Sequence, residues 1–455
     1  MDISSLVQEQ KNYFYSGQTR ALPIRLLHLD ALYKGIQKYE REIIDALQKD
    51  LHKSEFDSFT TEIGYVYKEI SFVKKHLSYW MKPKKAKGTF LHFGSKGKMI
   101  AEPYGVTLIL APWNYPFQLA IAPLIGAIAA GNTAIIKPSE LTPTVSAVIA
   151  KLIEDVFEPT YIAVVEGGIE ESTELLQQPF DFIFFTGSVA VGKKIMEAAA
   201  KQLIPIVLEL GGKSPCIVHY DANLKLAARR IVWGKFLNAG QTCVAPDYLY
   251  VHQAAKEELL SYIKEEIELI YGKQPLHNEQ YTHIVSERHF QRLEGFLTNG
   301  NMVAGGETDK EQLAIAPTIL DQISWEDAVM QDEIFGPILP VLTYEDLEEV
   351  ITVIQSHPKP LALYAFSESK KFQDDIVERL SYGGGCINDT VYHLTNPFLP
   401  FGGVGESGIG GYHGEHSFYS FSHQKSVLYQ TTKFDFKFRY YPSEKGLTFI
   451  KKLLK

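Results

Sequence analysis

Cysteine is scarce in this 455-residue chain: only Cys216, Cys243 and Cys386 occur, and they are far apart. That excludes a disulfide framework and a paired zinc motif, and it fits a reducing compartment. Long apolar runs are also missing. The longest, Leu119 to Ala130, contains Pro123 and falls well short of the roughly 20 residues of a membrane-spanning helix, so it reads as a buried helix. There is no surplus of positive charge. The net charge of −9 leaves no electrostatic footprint for nucleic acid. The start, Met1-Asp2-Ile3-Ser4-Ser5, lacks the basic and apolar parts of a secretory peptide, so a cytoplasmic location is expected. His413, His416 and His423 lack metal-ligand context, and no metal site is expected. No internal repeat and no low-complexity segment is present. What remains is 45% hydrophobic and 22% charged, ordinary for a globular enzyme and long enough for two or three domains.

The first eighty or so residues carry apolar positions at helical spacing, as in Leu26, Leu29, Leu32 and Tyr33, then Ile43, Ile44 and Leu47. Thr89–Phe93 and Lys98–Glu102, separated by Gly94-Ser95-Lys96-Gly97, read as a hairpin. From Gly105, apolar strands alternate with helices: Val106–Leu110, a helix to Ala130, Thr133–Ile136, a helix near Val145–Val156, Ile162–Val165, Phe182–Phe185, a helix near Val191–Gln202, and Ile206–Leu208. That alternation predicts an α/β fold with a doubly wound, Rossmann-type parallel sheet. A second α/β region runs from Gly212 to about Ser422. Phe434, Phe436 and Phe438 alternate with other residues and read as a strand.

Chemistry concentrates in a few segments. Asn238-Ala239-Gly240-Gln241-Thr242-Cys243-Val244-Ala245-Pro246 sets one cysteine in small, polar surroundings between a helix-like run and the strand-like Tyr248–Val251. A helix N-terminus or nearby amides would lower such a thiol from about 8.5 and make it a nucleophile. Leu208-Glu209-Leu210-Gly211-Gly212 puts a carboxylate at a strand end. Taken alone, Glu209 is as easily a structural ion-pair residue. In Phe184–Lys194, a strand, a glycine turn (Gly187, Ser188) and a helix bearing Gly192 would aim backbone N–H groups at a pyrophosphate. Gly187 and Gly192-Lys193 have Walker A spacing, but Lys194 stands where Ser or Thr would hold magnesium. The string Gly403-Val404-Gly405-Glu406-Ser407-Gly408 follows no apolar strand and is a decoy for phosphate binding. Asn114, after the strand Val106–Leu110, is either a cap or turn residue or a donor to an oxyanion. Lys137 and Glu140 follow another strand end. Cys216 and Cys386 read as core.

These segments resemble the signatures of the aldehyde dehydrogenase family, in order and over nearly the whole chain. The resemblance implies that Cys243 is the nucleophile, Glu209 the general base and Asn114 the oxyanion donor together with the Cys243 amide. It implies that Gly187, Ser188 and Gly192 form the cofactor loop, with Lys137 on the adenosine ribose and Glu140 close by. Glu333, in Gln331-Asp332-Glu333-Ile334-Phe335-Gly336-Pro337, would hold the nicotinamide ribose, and Phe335 would pack near its ring. The implied reaction is NAD(P)-dependent oxidation of an aldehyde to a carboxylate through a cysteine thioester. NAD is the first choice because Glu140 would repel a 2′-phosphate, with NADP the alternative. The short N-terminus resembles the class 3 and fatty-aldehyde branch, which implies a homodimer and apolar aldehydes, medium to long or aromatic. Tyr65, Tyr115, Trp233 and Phe401 are then candidates for the substrate funnel. The expected organisation is a cofactor domain (1–82 and 104–211), a catalytic domain (212–422), an oligomerisation arm (83–103 and 423–440) and a tail (441–455). From Lys433 to Lys455 there are seven Lys or Arg against two acidic residues. Leu447, Ile450, Leu453 and Leu454 recur there at helical spacing, as in a basic amphipathic helix that touches a membrane surface, covers the funnel or packs on a partner subunit. Two other classes use the same residues differently. A cysteine hydrolase or thioesterase would need no nucleotide, and a non-catalytic descendant of the family would not need both Cys243 and Glu209.

Overall fold

The computed structural model describes residues 2–89, 92–436, 440 and 443–454. These form two compact units, one of residues 1–80 and 103–423, the other of 81–102 and 424–455. Among the described residues, the larger unit holds two large sheets and a small two-stranded one, Thr308–Asp309 with Ala314–Ile315. The first has six strands in the order Gly408–Ile409, Ile206–Glu209, Phe182–Thr186, Val106–Leu110, Thr133–Lys137 and Ile162–Val164. All are parallel except the short Gly408–Ile409, which pairs antiparallel with Ile206–Glu209. Numbered by chain position, the five parallel strands run 3-2-1-4-5, so the winding direction reverses between Val106–Leu110 and Phe182–Thr186. Open α/β sheets bind ligands at such a reversal, outside the carboxyl ends of the strands.

Burial on both faces explains why these strands are continuous apolar runs. Val106–Leu110, Thr133–Lys137 and Phe182–Thr186 are buried at every position. The helix Gln118–Ala130 is apolar all round and buried from Leu119 onward, so it is enclosed by protein. It ends at Gly131, whose φ of 93° suits glycine, and the buried Arg25 Nη1 donates to the Ala129 carbonyl (2.8 Å). The second sheet has seven strands, in the order Asn301–Ala304, Thr318–Asp321, Ile338–Tyr344, Tyr248–His252, Pro215–Val218, Ala362–Phe366 and Gly384–Ile387. Only the edge strand Asn301–Ala304 is antiparallel. Among the described residues no helix is long and apolar enough to cross a membrane.

The smaller unit departs from the sequence reading in two places. The long strand is Ser95–Pro103, and its hairpin partner is Lys84–Ala86 rather than Thr89–Phe93. The register Ala86↔Gly97 puts the supposed turn glycine inside the ladder. Phe90 and Leu91 lie outside the described residues. The third strand is Ser422–Gln430, not the phenylalanine run. Phe434 packs on the rings of Phe93 (5.7 Å) and Phe436 (5.6 Å), so these side chains share one cluster instead of alternating across a sheet. Phe438 lies outside the described residues. The tail forms the helix Glu444–Leu454.

Candidate active site

A cavity of about 700 Å³ lies at the reversal point of the first sheet. Its lining includes Asn114 after Val106–Leu110, Gly187 and Ser188 after Phe182–Thr186, and Glu209 at the end of Ile206–Glu209 with Gly211 and Gly212 just beyond it. Cys243, Glu333 and Phe335 come from the second sheet's connections. Of the sequence-selected cofactor residues, Lys137, Glu140 and Gly192 are not part of this lining. Lys137 Nζ is 2.9 Å from Glu140 Oε2. A Cβ at Gly192 would lie 2.6 Å from Leu210, so that glycine permits close packing of the helix Val189–Gln202 on the strand end.

Cys243 sits on the turn that leads from the helix Leu224–Phe236 and the short 3₁₀ segment Leu237–Gly240 into the strand Tyr248–His252. Asn238 and Ala239 have φ of 55° and 52°, strained values for non-glycine residues. Direct ties hold this turn to the loop after Val106–Leu110. Asn114 Nδ2 donates to the Gln241 carbonyl (3.0 Å), Asn238 Nδ2 donates to the Asn114 carbonyl (2.9 Å), and the Tyr115 and Thr242 hydroxyls share a bond of 2.7 Å. Gln241 in turn donates to the His283 carbonyl at 2.9 Å. One Asn114 side-chain N–H is thus spent on orientation, leaving the second for a ligand.

The thiol is not acidified. Burial pushes the Cys243 thiol up, the Glu333 and Glu209 carboxyls add to this, and the local Cys243 and Val244 amides only partly offset it. The amide effect expected from the sequence exists but loses to desolvation, because the turn is enclosed rather than presented at an exposed helix end. Glu209 is buried, and both its carboxyl oxygens lack a hydrogen-bond partner. Burial raises it well above the ordinary carboxylate range. Glu333 is pushed up to about 8, first by burial and then by Asp247, while the Gly212 amide, Lys213 and Arg292 oppose the shift. Its carboxyl rests on Gly211, where a Cβ would come within 2.0 Å of Oε2.

Several contributors were not singled out from the sequence. Arg292 Nη1 donates to the Glu333 carbonyl (3.2 Å) and Nη2 to that of Ile334 (2.5 Å). Lys213 pairs with Asp247 at 2.5 Å, and Asp247 Oδ1 accepts from the Ile334 amide at 2.9 Å. Trp113 meets the ring of Phe335 at 5.3 Å and that of His289 at 5.1 Å. His289 and Arg292 share one helix, at i and i+3, a weak signal that no flanking motif reinforced. Among the described residues no group of three His, Cys, Asp or Glu is placed to hold a metal ion.

The family model for the aldehyde dehydrogenase family matches residues 1–427. The chain belongs to this family. It is 47% identical over 98% of both chains to 4,4′-diaponeurosporen-aldehyde dehydrogenase of Staphylococcus aureus. It is 45% identical to aldehyde dehydrogenase family 3 member H1 of Arabidopsis thaliana, covering 98% of this chain and 93% of that one. The solved AldH of Staphylococcus aureus, in a substrate-bound state, superposes with a TM-score of 0.98 at 46% identity over 100% of both chains. The protein is therefore an aldehyde dehydrogenase of the class 3-like branch, an oxidoreductase that oxidises aldehydes, in a family that uses NAD(P).

This aldehyde dehydrogenase offers a dinucleotide a fitting cradle. The Gly187-Ser188 turn opens a helix N-terminus onto the cavity, Gly211 and Gly212 allow close backbone approach, and Trp113, Phe335 and His289 supply an aromatic wall. The four funnel candidates lie apart from that lining. Phe401 stacks on His413 (5.2 Å), and Tyr65 lies 5.6 Å from the same imidazole. Tyr115 is tied to Thr242, and Trp233 lies partly exposed on the helix Leu224–Phe236.

Proposed function

We propose that this enzyme oxidises apolar aldehydes, medium to long or aromatic, to carboxylates through a thioester on Cys243. The observation that carries the reading is the convergence of Cys243, Glu209 and Asn114 from three separate segments on one cavity. Once the thiol has passed its proton to solvent water, its sulfur adds to the aldehyde carbon. The second Asn114 side-chain N–H and the Cys243 amide receive the charge that develops on the carbonyl oxygen. Gly187, Ser188, Gly211, Glu333 and Phe335 would hold a nicotinamide dinucleotide, which supplies the acceptor for the hydride leaving the adduct. Glu209 then takes a proton from water as the water oxygen attacks the thioester, and cleavage of the C–S bond frees the acid. A buried carboxyl with two unpartnered oxygens has the basicity for that step once it is ionised.

NAD is the proposed acceptor over NADP, because Glu140 adds negative charge beside Lys137 at the strand end. The exposed edges Lys84–Ala86 and Ser422–Gln430 support a homodimer formed by strand addition. Lys451 and Lys452 beside the exposed Leu447 and Leu454 support a tail that meets an apolar chain or an anionic lipid surface. Initial rates with aldehydes of increasing chain length, with NAD and with NADP, test the reading. Rates that rise with chain length and are faster with NAD are expected. Absence of nucleotide reduction with every aldehyde would refute it.

A further inference from the structure

We propose that the fully buried ion pair Lys53–Glu62 is the positioning element of the oxyanion loop. The proposal rests on the reading of Asn114 as oxyanion donor. The two side chains are 1% and 0% exposed, and Lys53 Nζ lies 2.6 Å from Glu62 Oε1. Glu62 belongs to a π-helical turn, Phe59–Ile63, of the kind frequent at functional sites. Its other oxygen accepts from the Phe117 amide (2.9 Å) and the Gln118 amide (3.1 Å). Those amides open the buried helix Gln118–Ala130, whose own cap position, Phe117, contributes no side-chain bond. Glu62 thus supplies the cap that the helix lacks and meets the positive end of its dipole. Lys53 Nζ also stands 4.3 Å from the centroid of the Tyr115 ring, and the Tyr115 hydroxyl bonds Thr242 beside Cys243.

One ion pair therefore grips the chain at residues 115, 117 and 118, immediately after Asn114. On the other side, Asn238 and Gln241 fix Asn114 to the cysteine turn. A buried ion pair is generally no better for stability than a well-packed apolar pair, so stability gives little reason for two charges here. Position does. An apolar pair would leave one buried and one half-buried amide without their acceptor and free the loop to shift, and a displacement of about 1 Å near the reacting atoms costs on the order of 10²-fold in rate.

The test compares two double variants by kcat and KM for hexanal with saturating NAD and by thermal unfolding. Lys53→Met with Glu62→Leu removes the charges and the cap. Lys53→Met with Glu62→Gln removes the charges but keeps an acceptor for Phe117 and Gln118. The first is expected to fold, lose roughly 10- to 100-fold in kcat and keep KM within about threefold. The second is expected to regain only part of that rate, because Phe117 and Gln118 keep an acceptor while Tyr115 loses its cation. In an Asn114→Ala background the first pair of changes should cost less than about threefold more, because coupled residues are non-additive. Full kcat in the folded apolar variant, or a loss that simply multiplies with that of Asn114→Ala, would overturn the proposal. Thr242→Val keeps the pair and the cap but cuts the hydroxyl tie. It should lower kcat by about 3- to 10-fold with KM held, and an unchanged kcat would overturn the proposal even if the first variant fails to fold. If Asn114→Ala itself keeps the wild-type rate, the oxyanion reading falls. If only the pair variants do, positioning alone falls.

Discussion

Cys243, Glu209 and Asn114 each owe their state to surroundings that the local sequence does not describe. The Cys243 thiol is held up by burial and by two carboxyls. The rate of its alkylation by iodoacetamide is therefore expected to keep rising with pH past about 9 in the free enzyme, without the plateau near the ordinary thiol value of about 8.5. A plateau below pH 8, measured by mass spectrometry of the modified peptide, would contradict the burial argument. Cys243→Ser is expected to reduce hexanal oxidation below detection, since the hydroxyl is a far weaker nucleophile without an adjacent base. Glu209→Gln should still form one equivalent of NADH in a stopped-flow burst while steady-state turnover falls by about 10²- to 10⁴-fold. Loss of both phases together would move Glu209 from thioester hydrolysis to an earlier step. The sequence pointed to all three residues, yet it expected an acidified thiol. It saw neighbouring amides, whereas desolvation depends on residues from distant segments.

Among the elements, the five parallel strands of the first sheet lie within a residue or two of the boundaries expected from apolar runs, because they are largely buried, whereas its edge strand Gly408–Ile409 and the helix Ile169–Gln177 were not expected. The pattern failed in the small unit, where Ser95–Pro103 is mostly half-buried or exposed and the period is weak. Aromatic clustering there imitated strand alternation. Element ends are where single changes should act most clearly. Gly131 closes the buried helix with φ of 93°, and a Cβ there would lie 2.6 Å from Arg25 Nη2. Gly131→Ala is expected to destabilise by about 1–2 kcal/mol from the left-handed backbone alone, and by more through displacement of Arg25. A lowered urea midpoint with normal kcat would bear this out. An unchanged midpoint would show that the turn relaxes freely.

At the scale of the whole molecule, a buried acid links stability to pH. Glu333 is pushed from its ordinary value of 4.5 to about 8, so the folded protein keeps a proton that the unfolded chain releases across that window. Folding stability must then fall as pH rises from about 4.5 to 8. Glu333→Gln should abolish this contribution, giving a higher urea midpoint than wild type at pH 9 and a similar one at pH 4. Equal midpoints at both pH values would mean that Glu333 ionises freely. Sedimentation velocity tests the assembly. A species of twice the chain mass is expected, converting to monomer when Ser422–Gln430 carries an added proline at an exposed ladder position. A monomer in the intact protein would remove the strand-addition argument.

The amino-acid sequence by itself determined the α/β class, the order of the buried strands and the signatures around Cys243, Glu209 and Asn114, because apolar periodicity and short motifs are local properties. Only the tertiary structure decided which groups meet. It brought three distant segments to one cavity, supplied Arg292, Trp113 and the Lys53–Glu62 pair that no motif announced, and made the acids at the site hard to ionise. Contact and desolvation are properties of the packed interior, and they depend on residues hundreds of positions apart.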